Sequence, residues 1–139
     1  DAVFDRVPPH DDEAEMAVLG GMLLSKDAIG EVSQMIDVTD FYQPKHQTIY
    51  EAIIDLFSNS QNVDVVIVAN QLMKDGNLDK VGGADYLHTL VAFVPTAANA
   101  TYYAEIVHQR AILAQRDRGR HQDRAARLLG GGRRRPKTW

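Results

Sequence analysis

The 139-residue sequence predicts an all-α fold: a compact bundle of about six helices with a basic C-terminal tail. Three observations predict it. Apolar residues recur at helical spacing in one segment after another. Cap residues and Gly or Pro punctuate those segments. No convincing strand, and no partner for one, is visible anywhere in the chain.

The opening, Asp1–His10, ends in Pro8–Pro9 and reads as an extended arm. Asp11 or Asp12 then caps a helix whose first turn also holds Glu13 and Glu15, favourable at the positive end of the dipole. Its apolar positions are Met16, Val18, Leu19, Met22 and Leu23. Gly20–Gly21 inside it costs about 1 kcal/mol each against Ala, and close packing on another backbone is the expected compensation. Ser25 caps a second helix, with Ile29, Val32, Ser33 and Ile36 on one face.

Pro44–Ser58 reads as the central helix. Ile49, Tyr50, Ala52, Ile53, Ile54, Leu56 and Phe57 leave only a narrow polar stripe of Thr48, Glu51, Asp55 and Ser58. Pro44 suits a first helical turn, where its missing N–H is no loss. Phe41 and Tyr42, just upstream, are expected to fold back over the same core. Asp64 caps the next segment, Val65–Lys74, and Gly76 closes it. Val65–Val68 is β-branched and locally strand-like. Leu72 and Met73 extend a helical pattern through it, and helix is the reading.

Gly82–Gly83 breaks the chain before Ala84–Phe93, which groups Leu87, Leu90, Val91 and Val94. Pro95 ends that helix and Thr96 caps the next, from about Ala97 to Gln115. There Tyr102, Ile106 and Leu113 form one line, with Tyr103, Val107 and Ala111 beside it. The helical domain so defined covers 11–115. Residues 116–139 are rich in Arg and Gly, with a short helix at Gln122–Leu129. Gly130–Gly132 and Pro136 argue for a floppy end.

Composition bounds the function. No apolar run approaches a membrane span of about 20 residues, no signal peptide opens the chain, and Cys is absent. A cytoplasmic protein without disulfides or thiolate ligands is expected. The missing initiator Met points to a trimmed or internal piece of a longer chain. The net charge of −4 hides a split: residues 1–109 carry 5 Lys and Arg against 17 Asp and Glu, whereas residues 110–139 carry 10 against 2. The acidic body is a poor ligand for phosphates.

Motifs for catalysis are missing. No G-x-x-x-x-G-K-[ST], G-x-S-x-G or H-E-x-x-H occurs. Asp75–Asp79 is a weak match to a calcium loop, but Lys80 and Tyr86 stand where the turn Gly and bidentate Glu belong, so it reads as a helix end and turn. The five His residues show no ligand spacing. His46 reads as a structural hydrogen bonder in preference to a metal ligand. Asp11–Asp12 and Glu13–Glu15 read as cap and dipole residues. No catalytic, cofactor or metal site is expected.

Several short strings together say more. They are Arg6–Val7–Pro8–Pro9, Glu13–Ala14–Glu15 leading into Ala17–Val18–Leu19–Gly20, Asp40–Phe41–Tyr42 with His46–Gln47, and Val63–Asp64–Val65–Val66. Val81–Gly82–Gly83, Tyr86–Leu87, Val94–Pro95–Thr96–Ala97–Ala98–Asn99 and Tyr103–Ala104 with Ile106 follow. In order and spacing, over about residues 3–114, the chain resembles the N-terminal domain of replicative DNA helicases of the DnaB family. The resemblance implies a helical collar domain that assembles subunits of a hexameric ring and docks the C-terminal domain of DNA primase in the primosome. It also implies that ATP, Mg and most DNA contacts belong to a separate C-terminal domain of the parent, which nothing here matches. In the family the last helix continues into an apolar-patterned hairpin that pairs subunits. Here that pattern is lost after Gln115, as in an altered, truncated or artificial end.

Tyr86 matches a position the family uses toward primase, and an aromatic anchor suits that role. The alternative is that it packs into the core beside Leu87 and Leu90. Tyr102 or Tyr103 is expected to face another copy of the chain, since both cannot share one inward line. Apolar positions exceed what six short helices bury, which favours self-association as a dimer or hexamer. In the tail, Arg116, Arg118, Arg120, Arg124, Arg127 and Arg133–Arg135 are candidate phosphate contacts, against a plain solvated terminus.

Overall fold

The structure is a computed structural model that describes residues 9–94 and 96–128, with side chains through residue 116. Six helices follow one another: α1 (Asp12–Leu24), α2 (Lys26–Ser33), α3 (Pro44–Ser58), α4 (Val65–Lys74), α5 (Gly83–Phe93) and α6 (Ala100–Leu128). Single 3-10 turns at Val38–Asp40, Asp79–Val81 and Ala97–Asn99 join them, and no strand occurs among the described residues. The all-α expectation holds.

Local chemistry starts these helices where the sequence places them. The Asp11 carboxylate accepts from the Ala14 N–H at 3.0 Å, Ser25 Oγ from Ala28 at 3.3 Å, and Asp64 from Ile67 at 2.8 Å. Each satisfies one of the amides a helix start leaves without a partner. The Asp64 cap commits Val65–Val68 to helix despite its β-branched side chains. Thr96 caps as predicted, though the element it opens is the 3-10 turn Ala97–Asn99, with α6 following. On α3, Glu51, Asp55 and Ser58 are exposed, while His46, Ile49, Tyr50, Ala52, Ile53 and Leu56 are buried.

Three expectations need correction. The hub is α1, not α3: α1 packs on α2, α3, α5, α6 and the turn before α6, and it is buried from Ala14 to Leu23 save for Met16. Its small residues, which add little to an apolar stripe, are what let neighbours close in. A Cβ on Gly20 would lie 2.2 Å from the Leu90 carbonyl oxygen of α5, and one on Gly21 would lie 3.0 Å from Ala100 Cβ. Tyr42, next, does not join Phe41 in the core. Phe41 is buried, whereas Tyr42 is exposed and stacks on His10. Lastly, the final helix does not stop at Gln115 before a separate Gln122–Leu129 helix. It runs unbroken to Leu128, because Arg, Gln, Ala and Leu favour helix and outnumber the weak formers Asp117, His121 and Asp123 and the single Gly119, which costs about 1 kcal/mol. The predicted roles of residues 1–8, Pro95, Gly130–Gly132 and Pro136 lie outside the described residues.

α6 holds the bundle along its first half. Ala100, Ala104, Val107, Ala111 and Ala114 are buried, and His108 Nδ1 lies 3.0 Å from Asp40 Oδ2 in the turn before α3.

Glycine substitutions on two helices separate packing from propensity. Gly20→Ala forces α1 and α5 apart and is expected to destabilise the domain by about 3 kcal/mol. Gly30→Ala, whose Cβ would meet only Phe57 at an ordinary 3.7 Å, is expected to stabilise it by up to about 1 kcal/mol. Urea denaturation of the two variants checks the opposite signs.

Candidate functional site

The feature that stands out chemically is a buried polar chain linking α1, α3 and α5. Glu15 and His46 are each 1% exposed. Glu15 Oε2 accepts the Tyr42 N–H at 2.7 Å, and Oε1 accepts the Gln43 N–H at 3.3 Å. The same Oε1 lies 2.7 Å from His46 Nδ1, and His46 Nε2 lies 2.6 Å from the Tyr86 hydroxyl. A carboxylate only accepts, so Nδ1 carries the proton toward Glu15. The other ring nitrogen, Nε2, is the hydrogen-bond partner of the Tyr86 hydroxyl. Every polar atom of the chain has a partner, as burial demands.

Local structure explains the arrangement. Pro44 opens α3 without an N–H, and the N-cap Gln43 makes no side-chain cap. Glu15 crosses from α1 to take the two loop amides ahead of that helix, and Asp12 Oδ1 accepts from Gln43 Nε2 at 2.9 Å. Glu15 is therefore more than a dipole residue: its carboxylate ties the α3 entrance to α1.

Tyr86 is neither a plain core residue nor a freely projecting one. It is half-buried, packs against the core, and its ring stacks on His46 with planes 16° apart. Lys45 Nζ sits 4.1 Å from the ring centroid, a cation–π contact. Burial first, then the charges of Asp12 and Glu15, push the Tyr86 phenol up to about 12. Burial, Asp37 and Asp40 do the same to Tyr50, whose hydroxyl donates to the Ile36 carbonyl at 2.9 Å.

The other predicted residues lie elsewhere. On α6 the line of Tyr103, Val107 and Ala111 faces the core, with Tyr103 half-buried, and Tyr102 is 64% exposed. Leu113 and Ile112 are exposed on the same helix. Arg116 is exposed, and the positions of Arg118, Arg120, Arg124 and Arg127 lie on the α6 backbone past the described side chains. No group of His, Asp and Glu among the described residues is arranged to hold a metal ion, and Asp75–Asp79 is part of the turn after α4.

Sequence reasoning missed the role of Glu15, and a signal for it existed. Glu15, Val18, Leu19 and Met22 recur at i, i+3, i+4 and i+7, and so do His46, Ile49, Tyr50 and Ile53. An acid and an imidazole each occupying an apolar stripe are candidates for one another.

Alkaline titration tests the buried phenols. A phenol whose folded value is raised contributes stability fully present below its unfolded value near 10 and lost as pH rises toward 12. Absorbance at 295 nm is expected to show two of the five tyrosines ionising only near pH 12, with the urea midpoint falling between pH 10 and 12. In Tyr86→Phe a single late phenol, Tyr50, remains.

A family model for the DnaB-like helicase N terminal domain matches residues 7–109. The chain is 54% identical over 109 residues to the replicative DNA helicase DnaB of Leifsonia xyli subsp. xyli, covering 78% of this chain and 24% of that protein. It is 54% identical over 110 residues to the replicative DNA helicase DnaB of Mycobacterium leprae, covering 79% of this chain and 18% of the relative. The chain thus spans about a quarter or less of the length of these curated relatives. The crystal structure of the N-terminal domain of DnaB helicase from Mycobacterium tuberculosis superposes with a TM-score of 0.87 at 48% identity, covering 89% of this chain and 88% of that one. With the same six-helix architecture and a match across most of its length, the chain belongs to the family of DnaB-like helicase N-terminal domains.

Proposed function

We propose that this chain is the non-catalytic collar part of a replicative DNA helicase, acting in the cytoplasm to assemble subunits of the ring and to dock DNA primase. ATP and Mg chemistry, and most contact with DNA, belong on this reading to the rest of the parent protein. The observation that carries the docking role is Tyr86: an aromatic side chain half out of the surface, its hydroxyl anchored by His46 and its ring covered on one side by Lys45. An anchor already held in one orientation loses little rotamer entropy when a partner covers it. For self-association the support is the exposed face of α6, where Tyr102, Ile112 and Leu113 offer apolar area to solvent. Exposed groups of this kind on one helix suit another copy of the chain.

Calorimetric titration with the C-terminal domain of primase tests the docking role. Tyr86→Ala is expected to weaken binding about tenfold or more, as truncation of an interface anchor does. Tyr86→Phe, which keeps the ring, is expected to retain most of the affinity. An affinity within twofold of the parent for a folded Tyr86→Ala domain removes Tyr86 from the interface. Light scattering tests self-association. The parent chain is expected to run as a dimer or larger particle, and Tyr102→Ser combined with Leu113→Ser to shift it toward monomer at equal concentration.

A further inference from the structure

Lys45 breaks a local rule. It stands in the first turn of α3, directly after Pro44, where the positive end of the helix dipole favours an acid and disfavours a cation. That turn holds no acidic residue. Among the described residues no carboxylate lies within ion-pair distance of Lys45, since the close charge pairs there all use a histidine. Yet acids are plentiful: residues 1–109 carry 17 Asp and Glu against 5 Lys and Arg. The Lys45 side chain is half-buried, and its ammonium rests 4.1 Å from the Tyr86 ring centroid. Breaches of a local rule with no local compensation concentrate at functional sites.

From these observations we infer that Lys45 is a specificity-determining residue of the Tyr86 surface, its ammonium receiving a carboxylate from a side chain of the docked protein. The inference rests on the docking role proposed for Tyr86 and adds the chemistry of the group that meets it. Three N–H donors radiate from Nζ, and the ring takes up one side, so the solvent side stays open to an acceptor. The stem is already held against the ring, and less side-chain entropy is lost when the pair forms. A partner that covers Tyr86 also excludes water from the pair, which strengthens it over a fully exposed one. The neighbours set where the acid falls. Asp12 and Glu15 on α1, whose charges reach the Tyr86 hydroxyl, repel a carboxylate on that side of the ring. Lys45 thus selects one register for the partner and rejects one that brings Lys or Arg to the same point.

The test repeats the calorimetric titration of the full chain with the C-terminal domain of primase at low and high salt. Lys45→Gln is expected to weaken binding about fivefold or more at about 50 mM salt, with the gap closing to within about twofold by about 0.5 M. Lys45→Arg, which keeps the charge and the ring contact, is expected to stay within about twofold of the parent at both. In Lys45→Gln two phenols are still expected to ionise only near pH 12, the sign that the Tyr86 hydroxyl keeps its place. An affinity for Lys45→Gln within twofold of the parent at low salt overturns the inference. So does a loss that salt does not diminish or that Lys45→Arg shares, because Lys45 then only packs on Tyr86. Failure of the docking role looks different: the parent shows no binding, or Tyr86→Ala binds as the parent does, and both readings fall together.

Discussion

At Gly20 the α1 and α5 backbones approach so closely that no side chain fits between them, and α1 there serves as the helix on which α2, α3, α5 and α6 all pack. One helix can touch four others only if its own surface is thin. Ala14, Ala17, Gly20 and Gly21 supply that thinness, while Val18, Leu19, Met22 and Leu23 fill the remaining directions. Two glycines inside a helix cost propensity, and the return is dispersion contact with α5 on one flank and the start of α6 on the other. The acidic first turn and the Asp11 cap offset part of the loss at the solvent end.

The same helix supplies the single buried acid among the described residues. Glu15 would be costly there alone, and it is tolerated because two backbone amides and an imidazole converge on it. The convergence fixes three elements at once. The loop ahead of α3 is pinned to α1 through Tyr42 and Gln43, α3 through His46, and α5 through the Tyr86 hydroxyl. A polar chain with all its members satisfied specifies one register among helices that apolar contacts alone would allow to slide. The aromatic at its outer end inherits that definition, which is why the Tyr86 ring is held in one orientation.

Much of this was legible in the residues. Caps at Asp11, Ser25 and Asp64, Pro44 at the head of α3, and the polar stripe of Glu51, Asp55 and Ser58 all act within a turn or two of themselves, so local spacing reveals them. The role of α1 was harder to read, because amphipathic periodicity weighs large apolar groups and is blind to small ones that admit neighbours. Glu15 was hidden for a related reason. Its first-turn position satisfies a local rule, whereas its actual partners, Tyr42, Gln43 and His46, are 27 to 31 residues away. Tyr86 was singled out by resemblance, and its hydrogen bond to His46 could not be seen from its own neighbours in sequence. The continuation of α6 past Gln115 is the reverse case: propensity favoured it, and the loss of apolar pattern argued for a stop that the backbone does not make.

That continuation has a mechanical consequence. At about 1.5 Å per residue, the 29 residues of α6 span about 43 Å, with Leu128 about 21 Å along the axis from Ala114, the last buried residue among those whose side chains are described. Displacement along a straight helix grows with distance from the point of rotation. A tilt of about 5° at Ala114 would carry Leu128 sideways by nearly ~2 Å, as far as many side-chain contacts extend. The Asp40–His108 bond and the buried alanines of α6 therefore set the axis along which the whole helix runs, out to Leu128.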